Sequence, residues 1–329
     1  SRPFRIPLEP GQCRLDWICT VSHVVHRLSL MIALGLSIVV STLLFSCFRL
    51  FPQYGVRLEE AVVVNYIVAA ILAISMAGPE HAWGRMDEPS TMAGVLMGLA
   101  FLYMFKKIGE CTQQLGLGVV AIATKMSMVL PMTFFMVWDP ADAMNWQKGL
   151  AVILAFPAVY LASDSGQAST QKEAKPLQSG IRSAAWFLPA IVFFGSGMID
   201  LGFGWFSTPD HMTEDADRLT FAAVPFTVAA LIGLLRMAFV PSAKPVWSRA
   251  TVLGGIILGV INVGSLFFLL SAYQSMPFPR SAIVPVNNLG IVLATSLAGI
   301  AFFRERPNPR NLMGWALATA ALVLLLLRP

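Results

Sequence analysis

The sequence predicts an all-α integral membrane protein with about ten transmembrane helices, arranged as two inverted five-helix repeats. Three observations lead to this prediction: charge is scarce, apolar stretches of membrane-spanning length recur, and one polar linker divides these stretches into two groups of five. Of the 329 residues, 56% are hydrophobic and 12% are charged, and the mean hydropathy is +0.69. A soluble domain averages about 25% charged residues, so this apolar surplus indicates a membrane environment.

The apolar stretches have the length of membrane spans, because a hydrocarbon core about 30 Å thick needs about 20 helical residues. The ten predicted spans are 29–50, 61–77, 91–106, 115–137 and 148–162, then 183–205, 219–240, 251–273, 281–303 and 312–328.

The chain divides into four segments on this basis. Residues 1–28 are an extension outside the membrane or on its surface, 29–162 form the first five-helix unit, 163–182 are the polar linker, and 183–329 form the second unit. The linker reads SDSGQASTQKEAKPLQSGIR, which is too polar for a span.

The two halves resemble each other weakly. VNYIVAAIL (64–72) is similar to VPFTVAALI (224–232) at a spacing of 160 residues, and aligning Gly149 with Gly314 gives a spacing of 165. Because five is odd, a tandem copy must enter the membrane in the opposite direction. Inverted repeats of this kind are characteristic of secondary transporters, whose substrate site lies near the midplane where the repeats meet.

Lys125 is the most informative single residue, because it lies in the middle of the predicted fourth span, in GLGVVAIATKMSMVLPMTFF. A lysine at the centre of a span costs about 2.5–3.5 kcal/mol on insertion scales, so it should face a polar cavity or a partner. Two roles remain open: an electrostatic contact for an anionic or zwitterionic substrate, or a structural lysine bonded to carbonyls or a buried side chain.

Several amides inside the spans are further candidates for substrate binding. Asn287 and Asn288 follow Pro285, which interrupts the backbone hydrogen bonds of the predicted ninth span. They either line a cavity or bridge helices, at about 0.6 kcal/mol for each bond. For Asn262, Asn65 and Tyr66 bridging between helices is the favoured role, with substrate binding as the alternative.

Asp200 is the exception to a near absence of acidic residues in the spans, and it is therefore the candidate for proton coupling. The chain contains no HExxH, GxSxG, P-loop or CxxC motif, so we predict neither an enzyme nor a cofactor. No metal site is predicted, because His23 and His26 lack further ligands. We expect Cys13, Cys19, Cys47 and Cys111 to be reduced thiols.

Two GxxxG motifs, Gly94 with Gly98 and Gly255 with Gly259, predict close helix packing rather than function. We expect close packing at Gly195-Ser196-Gly197 as well. The net charge of +5 comes from basic residues at span ends, where they anchor helices, so no nucleic-acid partner is predicted.

Four segments resemble the drug/metabolite transporter superfamily, and specifically its ten-span EamA-like members. They are STLLFSCFRLF followed by NYIVAAIL, then GVVAIATKMSMVLPM, and finally VPVNNLGIVLATSLAGIAFFRERPNPRNLMGWALATAALVLLL. The last contains Glu305 in a short loop and Gly314 in the final span, as the family does. The corresponding loop of the first half departs from the family pattern, since Trp138-Asp139-Pro140 stands where a Glu is usual.

The resemblance implies two inverted five-helix halves, a central cavity and alternating access. Family members carry amino acids, sugar phosphates, nucleotide sugars, drugs or other metabolites, and no single substrate transfers to this chain. The family also places both termini in the cytoplasm. On the predicted spans, however, nine Lys or Arg lie on the side of the N-terminus and thirteen on the other, which favours the reverse orientation.

The sequence therefore predicts a multi-pass transporter of the cell inner (plasma) membrane, a monomer or homodimer, whose partners are a small-molecule substrate and the lipid bilayer. Two other functions remain open: a lipid-handling protein such as a carrier-lipid flippase, and a membrane scaffold that transports nothing.

Overall fold

The fold was examined in a computed structural model that describes residues 31–48, 50–80, 89–115, 123–139, 145–162, 187–207, 212, 214–239, 247–273, 280–303 and 307–326. The predicted extension 1–28, the linker 163–182, Cys13, Cys19, His23, His26 and Glu305 lie outside these residues. Within them, all regular secondary structure is helical.

Ten α-helices of ten or more residues are present in the described residues. They are α1 Met31–Phe48, α2 Leu58–Ala77, α3 Pro89–Leu115, α4 Val129–Trp138, α5 Trp146–Ala162, α6 Phe187–Phe206, α7 Asp215–Phe239, α8 Arg249–Ala272, α9 Arg280–Phe303 and α10 Pro309–Leu326. A 3-10 turn, Phe51–Tyr54, follows α1.

Seven of these helices, α1, α2 and α6 to α10, are long and apolar enough to cross a membrane. Pro89–Phe101 within α3 and Trp146–Leu161 within α5 are shorter apolar helices. The chain is therefore an all-α, multi-pass membrane protein, which confirms the predicted fold class at that level.

Within the predicted fourth span, 115–137, the helix is interrupted beside Lys125. Residues 123–126 are helical, Ser127 and Met128 form a turn, and α4 follows. Hydrogen bonding changes there, with the Met128 amide donating to the Lys125 carbonyl at 3.4 Å. The cause is Pro131, which has no N–H to donate to the Ser127 carbonyl and whose ring crowds that carbonyl.

The predicted third span lies within a longer helix. It was placed at 91–106, whereas α3 continues to Leu115. The added residues include Lys107, Glu110 and two glutamines, which are good helix formers, so the helix outlasts its apolar stretch.

The helices pack in a pattern that joins the two halves of the chain. α2 packs against α7 and α8, α3 against α6 and α7, α4 against α6 and α9, and α5 against α9 and α10. In the second half, α7 also packs against α8 and α9 against α10. α1 contacts α8 and α9 through Ser37 and Ile38.

The first GxxxG motif brings α3 close to α7. A Cβ atom placed on Gly94 would lie 2.9 Å from the Cβ of Val224. One placed on Gly98 would lie 2.6 Å from the Cβ of Val228 and 2.9 Å from the Pro225 carbonyl oxygen. These separations leave no room for a side chain, which confirms the packing role.

The second GxxxG motif does the same between α8 and α2. A Cβ atom on Gly255 would lie 2.5 Å from the Cβ of Val64. One on Gly259 would lie 2.8 Å from both the Cβ of Val68 and the Asn65 carbonyl oxygen. In both motifs the obstacle includes backbone, so a larger residue would have to separate the helices.

We predict that Gly98→Ala lowers the free energy of unfolding by about 1–3 kcal/mol, the usual cost of overpacking a tight contact. Gly35→Ala, on α1, should cause no loss, because a Cβ there meets nothing within 4 Å. Denaturant unfolding of the purified chain in detergent micelles measures both. Equal stability of the two variants would contradict the close α3–α7 contact.

Candidate functional site

Lys125 lies on the short helical segment 123–126, just before the break caused by Pro131. Its Nζ donates a hydrogen bond to Oδ1 of Asn288 on α9 at 3.2 Å. It also lies 5.2 Å from the centroid of the Phe45 ring on α1, within the range of a cation–π contact. The ammonium is therefore held between α1 and α9, at the place where its own helix is interrupted.

Asn287, the neighbour of Asn288, faces α1 rather than Lys125. Its Oδ1 accepts a hydrogen bond from the hydroxyl of Ser37 at 3.0 Å, and both side chains are buried. The same hydroxyl lies 3.3 Å from the carbonyl oxygen of Ser265 on α8. Asn287 thus contributes to a three-helix contact between α1, α8 and α9.

Asn65 and Asn262 bind each other. Nδ2 of Asn262 on α8 donates to Oδ1 of Asn65 on α2 at 3.1 Å. The hydroxyl of Ser265 donates to the Asn262 carbonyl at 3.0 Å. The predicted bridging role of this pair is the one that the geometry fits.

These contacts join into one series, which we call the polar seam. Its members, each touching the next through a hydrogen bond or a peptide link, are Lys125, Asn288, Asn287, Ser37, Ser265, Asn262 and Asn65. Five of these residues, all but Ser37 and Ser265, were candidates for substrate binding in the sequence analysis, and the structure brings them into one series. Sequence reasoning missed the two serines.

A cavity of about 190 Å³ lies beside the seam. Three of its walls are aromatic. The Tyr66 ring is nearly parallel to that of Phe101 (centroids 6.4 Å apart, 14° between planes) and to that of Phe226 (6.2 Å, 28°). Tyr66, predicted as a candidate, therefore lies at the cavity with two rings that the sequence analysis did not single out.

The rest of the lining is mixed. Ser41, Asn262 and Ser265 provide polar groups, and Leu266 and Leu269 complete the wall. Apart from Leu269, which is three residues from the end of α8, these residues come from the central part of α1 and α8, as Tyr66, Phe101 and Phe226 come from the central part of α2, α3 and α7. The cavity therefore lies at mid-height among five helices.

Asp200 lies on the face of α6 that is turned toward Lys125. Gly197, three residues earlier, is close enough to α4 that a Cβ would lie 2.8 Å from the Ser127 carbonyl oxygen. The carboxyl group of Asp200 is within electrostatic range of Lys125. Among the described residues no ion pair within 4.0 Å joins them, so the two charges are close but not paired.

Tyr273 is a further polar residue beside Asp200 that sequence reasoning missed. Its side chain is 1% exposed, and its hydroxyl has no hydrogen-bond partner among the described residues. A Cβ on Gly204, one turn after Asp200, would lie 2.8 Å from this hydroxyl. Tyr273 ends the predicted eighth span, where nothing in the sequence distinguishes it from an interfacial tyrosine.

No group of three or more His, Cys, Asp or Glu side chains that could hold a metal ion occurs in the described ranges. Cys47 and Cys111, the two described cysteines, are free thiols, as expected from their spacing.

Comparison with known proteins gives similarity over nearly the whole length. No family model matches the chain. The chain is 23% identical over 308 residues to a Haemophilus influenzae protein of uncharacterised function, covering 89% of this chain and 96% of that protein. A protein of known crystal structure superposes with a TM-score of 0.67 at 12% identity, covering 91% of this chain and 96% of that one. This likeness is one of fold alone.

We predict that Asn65 and Asn262 are energetically coupled. A double-mutant cycle with Asn65→Leu and Asn262→Leu should give about 0.6 kcal/mol of coupling in the free energy of unfolding, the average for hydrogen bonds between membrane helices. As a control, Asn65→Leu combined with Asn311→Leu should be additive, because Asn311 bonds to the Leu161 carbonyl in another part of the bundle. Additivity in both cycles would show that the two amides do not interact.

Proposed function

We propose that the chain is a secondary transporter that moves a small polar or amphiphilic metabolite across the cell inner (plasma) membrane by alternating access. The observation that carries this proposal is the mid-height cavity beside the polar seam. Secondary transporters bind their substrates near the midplane, where broken helices expose polar backbone to the site. The cavity, the seam and the break beside Lys125 together meet that description.

We also propose that ten spans form two inverted repeats, because the packing supports an internal two-fold relation. In this relation each helix corresponds to the helix five places later or earlier in the chain. The α2–α8 contact then corresponds to the observed α7–α3 contact, and the α3–α6 contact corresponds to the observed α8–α1 contact. The pairs α2–α7, α4–α9 and α5–α10 are unchanged by this correspondence. The pairs α5–α9, α7–α8 and α9–α10 have no counterpart of similar extent. The rest of the pattern is what duplication of a five-helix unit produces, and the odd number makes the copies inverted.

The glycine contacts support the same relation residue by residue. Gly94 and Gly255 are 161 residues apart in sequence, and so are Gly98 and Gly259. The valines that these glycines face show nearly the same spacing. Val64 and Val224 are 160 residues apart, and so are Val68 and Val228. This matches the spacing found between VNYIVAAIL and VPFTVAALI.

The cavity lies on the proposed two-fold axis. Tyr66 and Phe226 are 160 residues apart, and Phe101 and Asn262 are 161 apart, so four lining residues form two equivalent pairs. A site built from equivalent positions of both halves can be exposed to either side when one half rocks against the other. Membership of the EamA-like transporters, which the sequence resembles, is part of this proposal.

One observation favours a second function, the handling of lipids. A groove of about 770 Å³ lies between α3 and α6, and its lining is almost wholly apolar. Leu96, Phe194 and Met198 in this groove are more than half exposed, so an acyl chain could enter from the side. A flippase also needs a headgroup site, whereas the seam lies at mid-height. A third function, a scaffold, is less consistent with a cavity in the bundle interior.

The experiment that tests transport uses the full chain in proteoliposomes. A mixture of amino acids, organic acids, nucleosides and sugar phosphates is placed outside, and the vesicle contents are identified by mass spectrometry. A fluorescent-phospholipid translocation assay on the same vesicles tests the lipid function. Uptake of a metabolite without lipid movement supports the transporter, and the reverse result supports the flippase.

We predict that Lys125→Gln reduces flux of the metabolite so identified by about tenfold or more, because a hydrogen bond to a charged group contributes about 1.5–3 kcal/mol. Lys107→Gln is the matched control. Lys107 lies over the Tyr103 ring on α3, away from the seam, and its loss should leave flux unchanged. Normal flux in the Lys125 variant would remove the substrate-binding role of this residue.

For proton coupling, we predict that an inward proton gradient drives accumulation in the native chain and not in Asp200→Asn. Substrate exchange without a gradient should persist in the variant, because the fold and Lys125 remain. Glu59→Gln, an exposed carboxylate on α2, is the control. A gradient that drives both proteins equally would show that Asp200 does not carry the proton.

A further inference from the structure

The chemistry of the substrate can be narrowed from the way α1 joins the cavity to Lys125. Ser37, Ser41 and Phe45 are spaced four residues apart and therefore share one face of this helix. Ser37 contacts the seam, Ser41 lines the cavity, and Phe45 contacts the Lys125 ammonium. At 1.5 Å per residue, the Cα atoms of Ser41 and Phe45 are about 6 Å apart along the axis. A residue that lines the cavity and a residue that contacts the ammonium are thus one helical turn apart on α1.

The cavity has the size and lining for one planar ring. A cavity of about 150 Å³ is known to hold benzene, so about 190 Å³ accommodates a single ring and few further atoms. Tyr66, Phe101 and Phe226 line it, and aromatic rings attract one another in offset or edge-to-face arrangements at 4.5–7 Å. Asn262 and Ser265 give the same cavity a polar edge that can orient a ring carrying a donor or acceptor.

The positive charge of Lys125 favours a substrate that carries an anionic group. A lysine ammonium has three donors, and among the described residues one acceptor, Oδ1 of Asn288, meets it. The Phe45 ring lies against the same ammonium, and the donors that remain are available to a ligand. The site therefore suits one anionic group.

We propose that the substrate is a small aromatic monoanion: one planar ring in the cavity, and a carboxylate or comparable anionic group, joined to the ring by a short linker, bound by Lys125. This inference rests on the proposed function. It names the substrate class of the same site, and it also predicts binding that can be measured without transport.

The test is ligand-dependent thermal unfolding of the purified full chain, with four matched probes. They are 3-phenylpropionate, 3-cyclohexylpropionate (no planar ring), 3-phenylpropanol (no charge) and phenylalanine (an added ammonium). We expect 3-phenylpropionate to raise the unfolding midpoint. Its apparent affinity should exceed that of the cyclohexyl analogue about two- to tenfold and that of the alcohol about tenfold or more.

Variants assign the effect to the site. Phe101→Leu should reduce the preference for the phenyl over the cyclohexyl probe, and Lys125→Gln should remove the preference for the acid over the alcohol. Phe239→Leu, at the exposed end of α7 and outside both the cavity and the groove, is the matched control and should leave both preferences unchanged. The comparison of probes on the native chain holds even where a variant does not fold.

The possible results separate this inference from the proposed function. No stabilisation by 3-phenylpropionate or phenylalanine, or equal stabilisation by the cyclohexyl analogue, overturns the aromatic monoanion, while flux of another metabolite keeps the transporter. If 3-phenylpropionate raises the unfolding midpoint but the labelled probe is not exchanged across the membrane of proteoliposomes, the ligand class is supported and transport is overturned. A stronger effect of phenylalanine than of 3-phenylpropionate overturns the monoanion, because phenylalanine is a zwitterion with no net charge.

Discussion

A positive charge in the middle of an apolar bundle is the constraint on which the interior of this protein depends. Lys125 costs several kcal/mol in hydrocarbon, and the structure meets that cost by bringing three elements to it. Asn288 accepts its hydrogen bond, Phe45 offers a ring face, and its own helix breaks at Ser127. Because Asn288 is fixed there, its neighbour Asn287 is turned toward Ser37, and the polar seam then extends through α8 to α2.

The seam can remain narrow because the surrounding helices approach closely at glycine. Where Gly98 and Gly259 meet backbone oxygens of Pro225 and Asn65, the contacting helices have no freedom to slide without separating. These contacts flank the cavity in sequence, since Phe101 and Asn262 each lie three residues beyond one of these glycines. The tight contacts of α3 and α8 at these glycines therefore fix the positions of Phe101 and Asn262, which line the cavity.

The all-helical fold and most helix positions follow from apolar length alone, because one hydrophobic stretch in a membrane has essentially one structure available. The break before α4 can also be predicted from the sequence, because Pro131 cannot donate a hydrogen bond to the Ser127 carbonyl. The pairing of amides could not be predicted in this way. Asn65 and Asn262 are 197 residues apart, and no local pattern says which buried amide meets which. The same holds for Ser37 and Ser41, which resemble the small residues of any helix interface.

In the proposed duplication, the site arises where the two copies have diverged. The equivalent positions 101 and 262 carry a phenyl ring in one half and an amide in the other, and both line the same cavity. Positions 66 and 226 keep an aromatic ring in both halves. Lys125 has no such counterpart, since a spacing of 165 residues places it opposite Gly290, a glycine against which Ile38 packs. A strictly symmetric bundle would place the same groups on both sides of the proposed axis. Because one half contributes the cation and the amide partner comes from the other, a single site forms, and it has a defined polar end.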